Sequence, residues 1–216
     1  MTRWTDRLLA ALRRRRGKPA ADVPPSPAPP EQRPARPAAK PPPSATDVTA
    51  VIGSQHERVK ALLEAVLQQT GHRRAAAFHA LRLTLALHET AEEQAIHPQA
   101  LRQLGPYDRA ASDRIAEEQT AGQTIAALEL VDVDSDQFNF TFGHFAASVA
   151  EHAAAEEADE WPALRQITDP PVIRAMMKQM QAVTELATDR AAPGRQASFA
   201  EMQEWAKARL PTPPAS

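Results

Sequence analysis

Two short stretches carry an imidazole and a carboxylate at helical spacing: His88-Glu89-Thr90-Ala91-Glu92-Glu93 and His152-Ala153-Ala154-Ala155-Glu156-Glu157. On an α-helix, residues four apart lie one above the other on the same face. His88 therefore sits with Glu92, and His152 with Glu156. Each repeat runs on into a proline, through Ile96-His97-Pro98 and Glu160-Trp161-Pro162. A neutral imidazole and a carboxylate are both metal ligands, and a carboxylate can bridge two ions. Two helices that each offer such a couple can hold a metal pair between them. The chain has no cysteine, so every donor is nitrogen or oxygen, a set that suits iron, manganese or zinc.

Helices must position these couples, and the apolar spacing supplies them. Thr46-Asp47 is a candidate N-cap. After it, Ile52, His56, Val59, Leu63 and Val66 form one stripe with alternating steps of four and three, ended by Thr70-Gly71. A second helix is expected from about Arg73 to Ile96, with Phe78, Leu81, Leu85, His88, Glu92 and Ile96 on its stripe. Gly105-Pro106 is a break. A third runs from about Asp108 to Leu130, with Ile115, Glu118 or Gln119, Gly122 and Ile125 or Ala126 inward. Asp134-Ser135 offers a cap for a fourth, which carries Phe138, Phe142, Phe145, Val149, His152 and Glu156. This recurrence predicts an all-α, up-down-up-down four-helix bundle.

His56, His88, Glu92, His152 and Glu156 all fall on these core stripes. One buried histidine is ordinarily a hydrogen-bonded core residue. Two His/Glu couples and a third histidine on inward faces are different, because a buried carboxylate without a partner costs several kcal/mol. Divalent cations would neutralise the carboxylates and take the imidazoles as ligands. In the metal-free protein, Glu92 and Glu156 are both expected to favour protonation. The remaining histidines read as lying off the ligand positions: His72 in a turn, His79 off the ligand face, His97 at a helix exit, and His144 about 80° around the helix from His152, where it could stand behind a ligand.

Other motifs fail on inspection. His88-Glu89-Thr90-Ala91-Glu92 lacks the second histidine of a zinc-protease motif. No glutamate has a histidine three residues later, as ferritin-like carboxylate enzymes require. No phosphate loop or dinucleotide fingerprint occurs among seven glycines.

The charge is uneven. Residues 1–45 hold ten Lys/Arg, three Asp/Glu and eleven of the 20 prolines; their net of +7 leaves −9 for the rest of a chain whose total is −2. No nucleic-acid partner is indicated. Residues 1–18 read as a short basic amphipathic helix with Trp4, Leu8 and Leu12 on one face. As a functional element it would dock on an anionic membrane surface or an acidic partner; the alternative is a frayed tail whose arginines keep it soluble, since so short an isolated helix is marginal in water. Residues 19–45 read as a disordered proline-rich linker. The bundle is placed at 46–166. Residues 167–216 form a C-terminal extension with a helix from about Asp169 to Leu186, a short helix from Ser198 to Leu210, and a tail. The missing cysteines, the lack of a membrane-length apolar run and the absence of a signal peptide fit a cytoplasmic protein.

Over roughly residues 46–166 the chain resembles the hemerythrin-type HHE cation-binding domain, an up-down-up-down bundle holding a non-haem di-iron centre. The family's first-helix histidine matches His56. Its second-helix motif matches His88, Glu92, Glu93 and Pro98, and its fourth-helix motif matches His152, Glu156, Glu157 and Pro162. The third helix departs: where the family usually has Glu-His, this chain has Glu118-Gln119. The resemblance implies metal ligands at His56, His88, Glu92, His152 and Glu156, with Gln119 at the third-helix position. Glu89, which resembles a ligand in some members, or Glu118 would compensate. It implies two iron ions, with manganese or zinc as alternatives, and binding of oxygen or nitric oxide or sensing of iron or redox state. Two rival readings stay open: a di-iron oxidoreductase acting on peroxide or nitric oxide, and an interaction module with a weakened metal site.

Overall fold

A computed structural model describes residues 48–105 and 109–212, whose regular elements are all helices, with no strand among them. The expected basic helix and linker at 1–45 lie outside the described residues. Helix α1, Val48–Gln68, and helix α2, Gly71–Ala95, are joined at Thr70-Gly71. Gly71 adopts φ +57, a left-handed conformation that favours glycine, and its N–H donates to the Asp134 carboxylate at 2.9 Å. Helix α4, Ala110–Leu128, and helix α5, Asp136–Asp159, make the second antiparallel pair. Ser135 caps α5 by accepting from the Phe138 N–H, as the sequence suggested. The four helices close a ring, α1 against α2, α2 against α4, α4 against α5 and α5 against α1.

The core of the bundle has two compositions. Towards the α1–α2 turn it is aromatic: Phe78 meets Phe138 and Phe142 edge-on, Phe138 stacks on Phe142, and all are buried. Each such side chain contributes on the order of 1.5–3 kcal/mol of burial free energy. Beyond that layer the inward positions are polar.

Proline shapes the far ends of α2 and α5. Pro98 cannot donate to the preceding turn and its ring crowds the carbonyl four residues back. The chain breaks at Ile96 and restarts as a short helix α3, His97–Leu104, which ends at Gly105 with φ 86. Pro162 acts likewise: α5 stops at Glu160 and a single-turn helix α6, Trp161–Leu164, follows. The two exits pack against each other.

The C-terminal extension forms helix α7, Pro170–Leu186, and helix α8, Phe199–Arg209. Helix α7 packs on α1 and α2, burying Met176, Met177, Met180 and Val183. Helix α8 packs on α2 and α4 and starts with a capping box between Ser198 and Glu201. Arg82 of α2 pairs with Glu129 and donates to the carbonyls of Arg195 and Ala197, while Glu129 accepts from the Phe199 N–H at 2.7 Å. The extension is thus fastened to the bundle at both of its helices.

Candidate metal centre

The polar layer gathers side chains from five helices. One set, His56 of α1, His88 and Glu92 of α2 and Glu156 of α5, presents ligand atoms that all lie within 4.8 Å of one another; a second set, Glu92, His97, Glu118 and Glu156, does the same. Glu92 and Glu156 belong to both. His152 stands beside the second set, with Nε2 3.4 Å from Glu156 and 3.8 Å from Glu118.

Every histidine here uses its two nitrogens in the same way. Nε2 faces the carboxylates of the centre: His56 lies 3.2 Å from Glu156, His88 3.1 Å from Glu92 and His97 2.9 Å from Glu118. Nδ1 is turned outwards to an oxygen acceptor: Glu157 for His56 at 3.1 Å, Gln55 for His88 at 3.0 Å, Glu160 for His97 at 3.1 Å and Glu117 for His152 at 3.0 Å. A hydrogen on Nδ1 bound to such an acceptor leaves the Nε2 lone pair for a metal. The His56 ring also stacks on Trp161, centroids 5.9 Å apart. Gly53 makes room for that indole, since a Cβ there would sit 3.1 Å from a ring carbon.

The charges in this layer are unbalanced without a cation. Burial lifts Glu92 well above the usual carboxylate range, reinforced by Glu156. Burial likewise lifts Glu89 far up and Glu118 upwards, the latter opposed by His97. Burial would also raise Glu156, but His152 and His56 outweigh it and hold this carboxyl well below its usual range. The expectation that Glu92 and Glu156 both favour protonation therefore holds for Glu92 only: His56 and His152, both raised, flank Glu156 at 3.2 and 3.4 Å, whereas the imidazole beside Glu92 is the depressed His88. Burial depresses His56, yet the adjacent Glu156 and Glu157 lift it to about 9; for His97, Glu118 and Glu160 overcome burial and lift it to about 11. Burial and the nearby His56 press His88 down to about 3, so its imidazole is neutral.

Buried polar atoms left over after all hydrogen bonds are made test whether a cation fits. They include Nε2 of His56 and one carboxylate oxygen each of Glu92, Glu118 and Glu156. His56 Nε2 and its Glu156 neighbour are close in distance but not aligned as a hydrogen bond. Each buried group without a partner costs roughly 1–3 kcal/mol. These four residues come from separate helices and belong to the two sets that share Glu92 and Glu156, and nitrogen and oxygen donors of this kind satisfy a divalent transition metal. The residues present fit such an ion.

His56, His88, Glu92, His152 and Glu156 are brought together as the stripes predicted. Gln119 is a correction: it is exposed, and the inward face of α4 runs through Ala111, Arg114, Glu118, Ile125 and Leu128. Adjacent helical residues point about 100° apart, so seating Glu118 inward sends Gln119 to solvent. Glu89 is buried one turn before Glu92 but belongs to neither set of converging atoms. His97 is the residue that periodicity missed. It is fully buried between Glu118 and Glu160. The signal for it was the parallel between its Pro98 exit and the Glu160-Trp161-Pro162 exit, which places the two breaks side by side. His144 and His72 are exposed and away from the centre.

No curated protein and no solved structure matches the chain. The sequence pattern of the hemerythrin HHE cation binding domain matches residues 47–164, more than half of the chain and the whole of the ring α1, α2, α4 and α5. On that match, and on the His/Glu centre it encloses, the chain belongs to the hemerythrin HHE cation-binding domain family.

Proposed function

We propose that the protein is a non-haem di-iron protein that binds oxygen or nitric oxide, or reports iron or redox state, through a centre spanned by Glu92 and Glu156. The observation that carries this reading is the sharing of those two carboxylates by two sets of converging ligand atoms. His56 and His88 would hold one ion, and His97, His152 and Glu118 the other. Iron held by these residues would supply a redox-active centre able to take a diatomic ligand. Manganese or zinc satisfies the same donors.

The chain's own residues set the terms for any ligand. The Nδ1 acceptors hold each imidazole with Nε2 inward. Glu118 and the shared pair supply negative charge that two dications offset. His152 is the most exposed of the four imidazoles, its side chain 17% accessible against 8% for His56, 6% for His88 and 0% for His97. A small molecule would therefore reach the centre between α4 and α5, past His152 and the half-exposed Glu117.

The test is anaerobic reconstitution with iron(II), followed by optical spectra under oxygen, under nitric oxide and after their removal. A reversible spectral change with either gas supports the reading. Multiple turnovers with peroxide or nitric oxide would assign an oxidoreductase instead. Failure to retain iron in a folded protein would leave an interaction module.

A further inference from the structure

Three of the four inward-facing histidines rest their Nδ1 on carboxylates, Glu157, Glu160 and Glu117, which all lie inside the family-matched segment. His88 differs. Its Nδ1 lies 3.0 Å from the side-chain oxygen of Gln55, and the amide nitrogen of Gln55 donates to the Met180 carbonyl at 2.6 Å. Met180 belongs to α7, beyond residue 164.

The chemistry of this chain of contacts has one solution. A carbonyl oxygen only accepts, so Gln55 must turn its NH₂ towards Met180 and its oxygen towards His88. That oxygen also only accepts, so His88 must carry its hydrogen on Nδ1. Nε2 is then a lone pair aimed into the centre. The second lone pair of the Met180 carbonyl makes this possible without breaking α7. Gln55 is buried, and so is Met180. A second amide link, Gln179 of α7 to Gln94 of α2 at 2.6 Å, holds α7 in the same register, with Gln179 wholly buried.

We propose that α7 is a working part of the metal centre: Gln55 relays the Met180 carbonyl to His88, fixing its tautomer, and a cation bound at His88 in turn holds α7 in place. Gln55 is a positioning residue in this account, and α7 is the element outside the family domain that metal occupancy is read through. The inference rests on the metal-binding reading above. Coupling of this kind is reciprocal: if α7 favours the cation, the cation favours docked α7 by the same free energy.

The experiment uses the full chain and zinc(II) alone as the probe. Zinc affinity is measured by competition with a chromophoric chelator, and amide hydrogen exchange of residues 170–186 is followed with and without zinc. In the wild type, zinc should slow exchange across α7. Gln55→Leu should weaken zinc binding by roughly 10–100-fold, as loss of an outer hydrogen-bond partner does elsewhere, and zinc should no longer slow α7. Gln55→Glu separates the two links. It keeps an acceptor for His88 but sets a carboxylate against the Met180 carbonyl, so it should bind zinc more tightly than Gln55→Leu while α7 exchanges faster than in the wild type. A folded Gln55→Leu protein with wild-type zinc affinity and wild-type protection of α7 overturns the relay, even where His88→Ala still loses zinc. If Gln55→Leu fails to fold, unchanged α7 exchange in Gln55→Glu overturns it instead. Equal zinc uptake by wild type and His88→Ala would remove the metal-binding reading itself, and the relay with it.

Discussion

Replacing His97 with leucine tests the electrostatics of the centre in the metal-free protein. His97 is fully buried, 2.9 Å from Glu118 and 3.1 Å from Glu160. Burial opposes its charge, but those two carboxylates lift it from 6.5 to about 11. At 1.36 kcal/mol for each tenfold change in acidity, that lift is equivalent to ~6 kcal/mol. Removing one member of a buried ion pair costs ~3–5 kcal/mol once neighbours relax, so the lower range is the expected loss for His97→Leu at pH 7. Against a typical domain stability of ~5–15 kcal/mol this is a large fraction. The sign with pH follows from the direction of the lift. A histidine raised in the fold contributes its full stabilisation below its unfolded value near 6.5 and loses it as pH rises through about 11. The gap between wild type and His97→Leu should therefore narrow between pH 7 and pH 9.5, to roughly half or less. Urea unfolding of chelator-treated protein at the two pH values measures it. A deficit under ~1 kcal/mol at pH 7, or one that does not narrow, would refute a charged imidazole between the two carboxylates.

Three further outcomes are expected. Gln119→His should leave iron content unchanged because its side chain is in solvent, whereas Glu118→Gln should lower it; iron analysis after desalting decides between them. Phe142→Ala should cost ~3–5 kcal/mol of stability through the cavity it opens, yet leave metal stoichiometry intact, since Phe142 packs with Phe78, Phe138 and Phe145 rather than with the centre. Deleting residues 1–45 should alter neither the cooperativity of unfolding nor the metal content of the bundle; loss of either would move the domain boundary towards the N-terminus.

The bundle was legible because its helices obey simple periodicity. The steps of three and four through Ile52, His56, Val59 and Leu63 place both the apolar face and the first imidazole, and Phe138, Phe142, Phe145, Val149, His152 and Glu156 do the same for α5. Two features did not yield to periodicity. Glu118 and Gln119 are neighbours on a helix with few large apolar residues, so the stripe there tolerates either register. What settles it is tertiary: Glu118 meets His97, a partner that arrives from another helix. His97 was obscured because periodicity stops at a proline. The break at Ile96 swings the next residue inwards, and no rule confined to α2 predicts where it points. The role of α7 was hidden for a related reason. Met176, Met180 and Val183 fall at steps of four and three and make an apolar stripe, but a backbone carbonyl reaching Gln55 leaves no mark in the side-chain pattern.

Glu92 and Glu156, shared by both sets of ligand atoms, should span two cations. Anomalous scattering at the iron edge from crystals of reconstituted protein tests it most directly. Two peaks per chain are expected, one beside His56 and His88 and the other beside His97 and Glu118, with Glu92 and Glu156 between them. A single peak, or peaks away from these six residues, would contradict it.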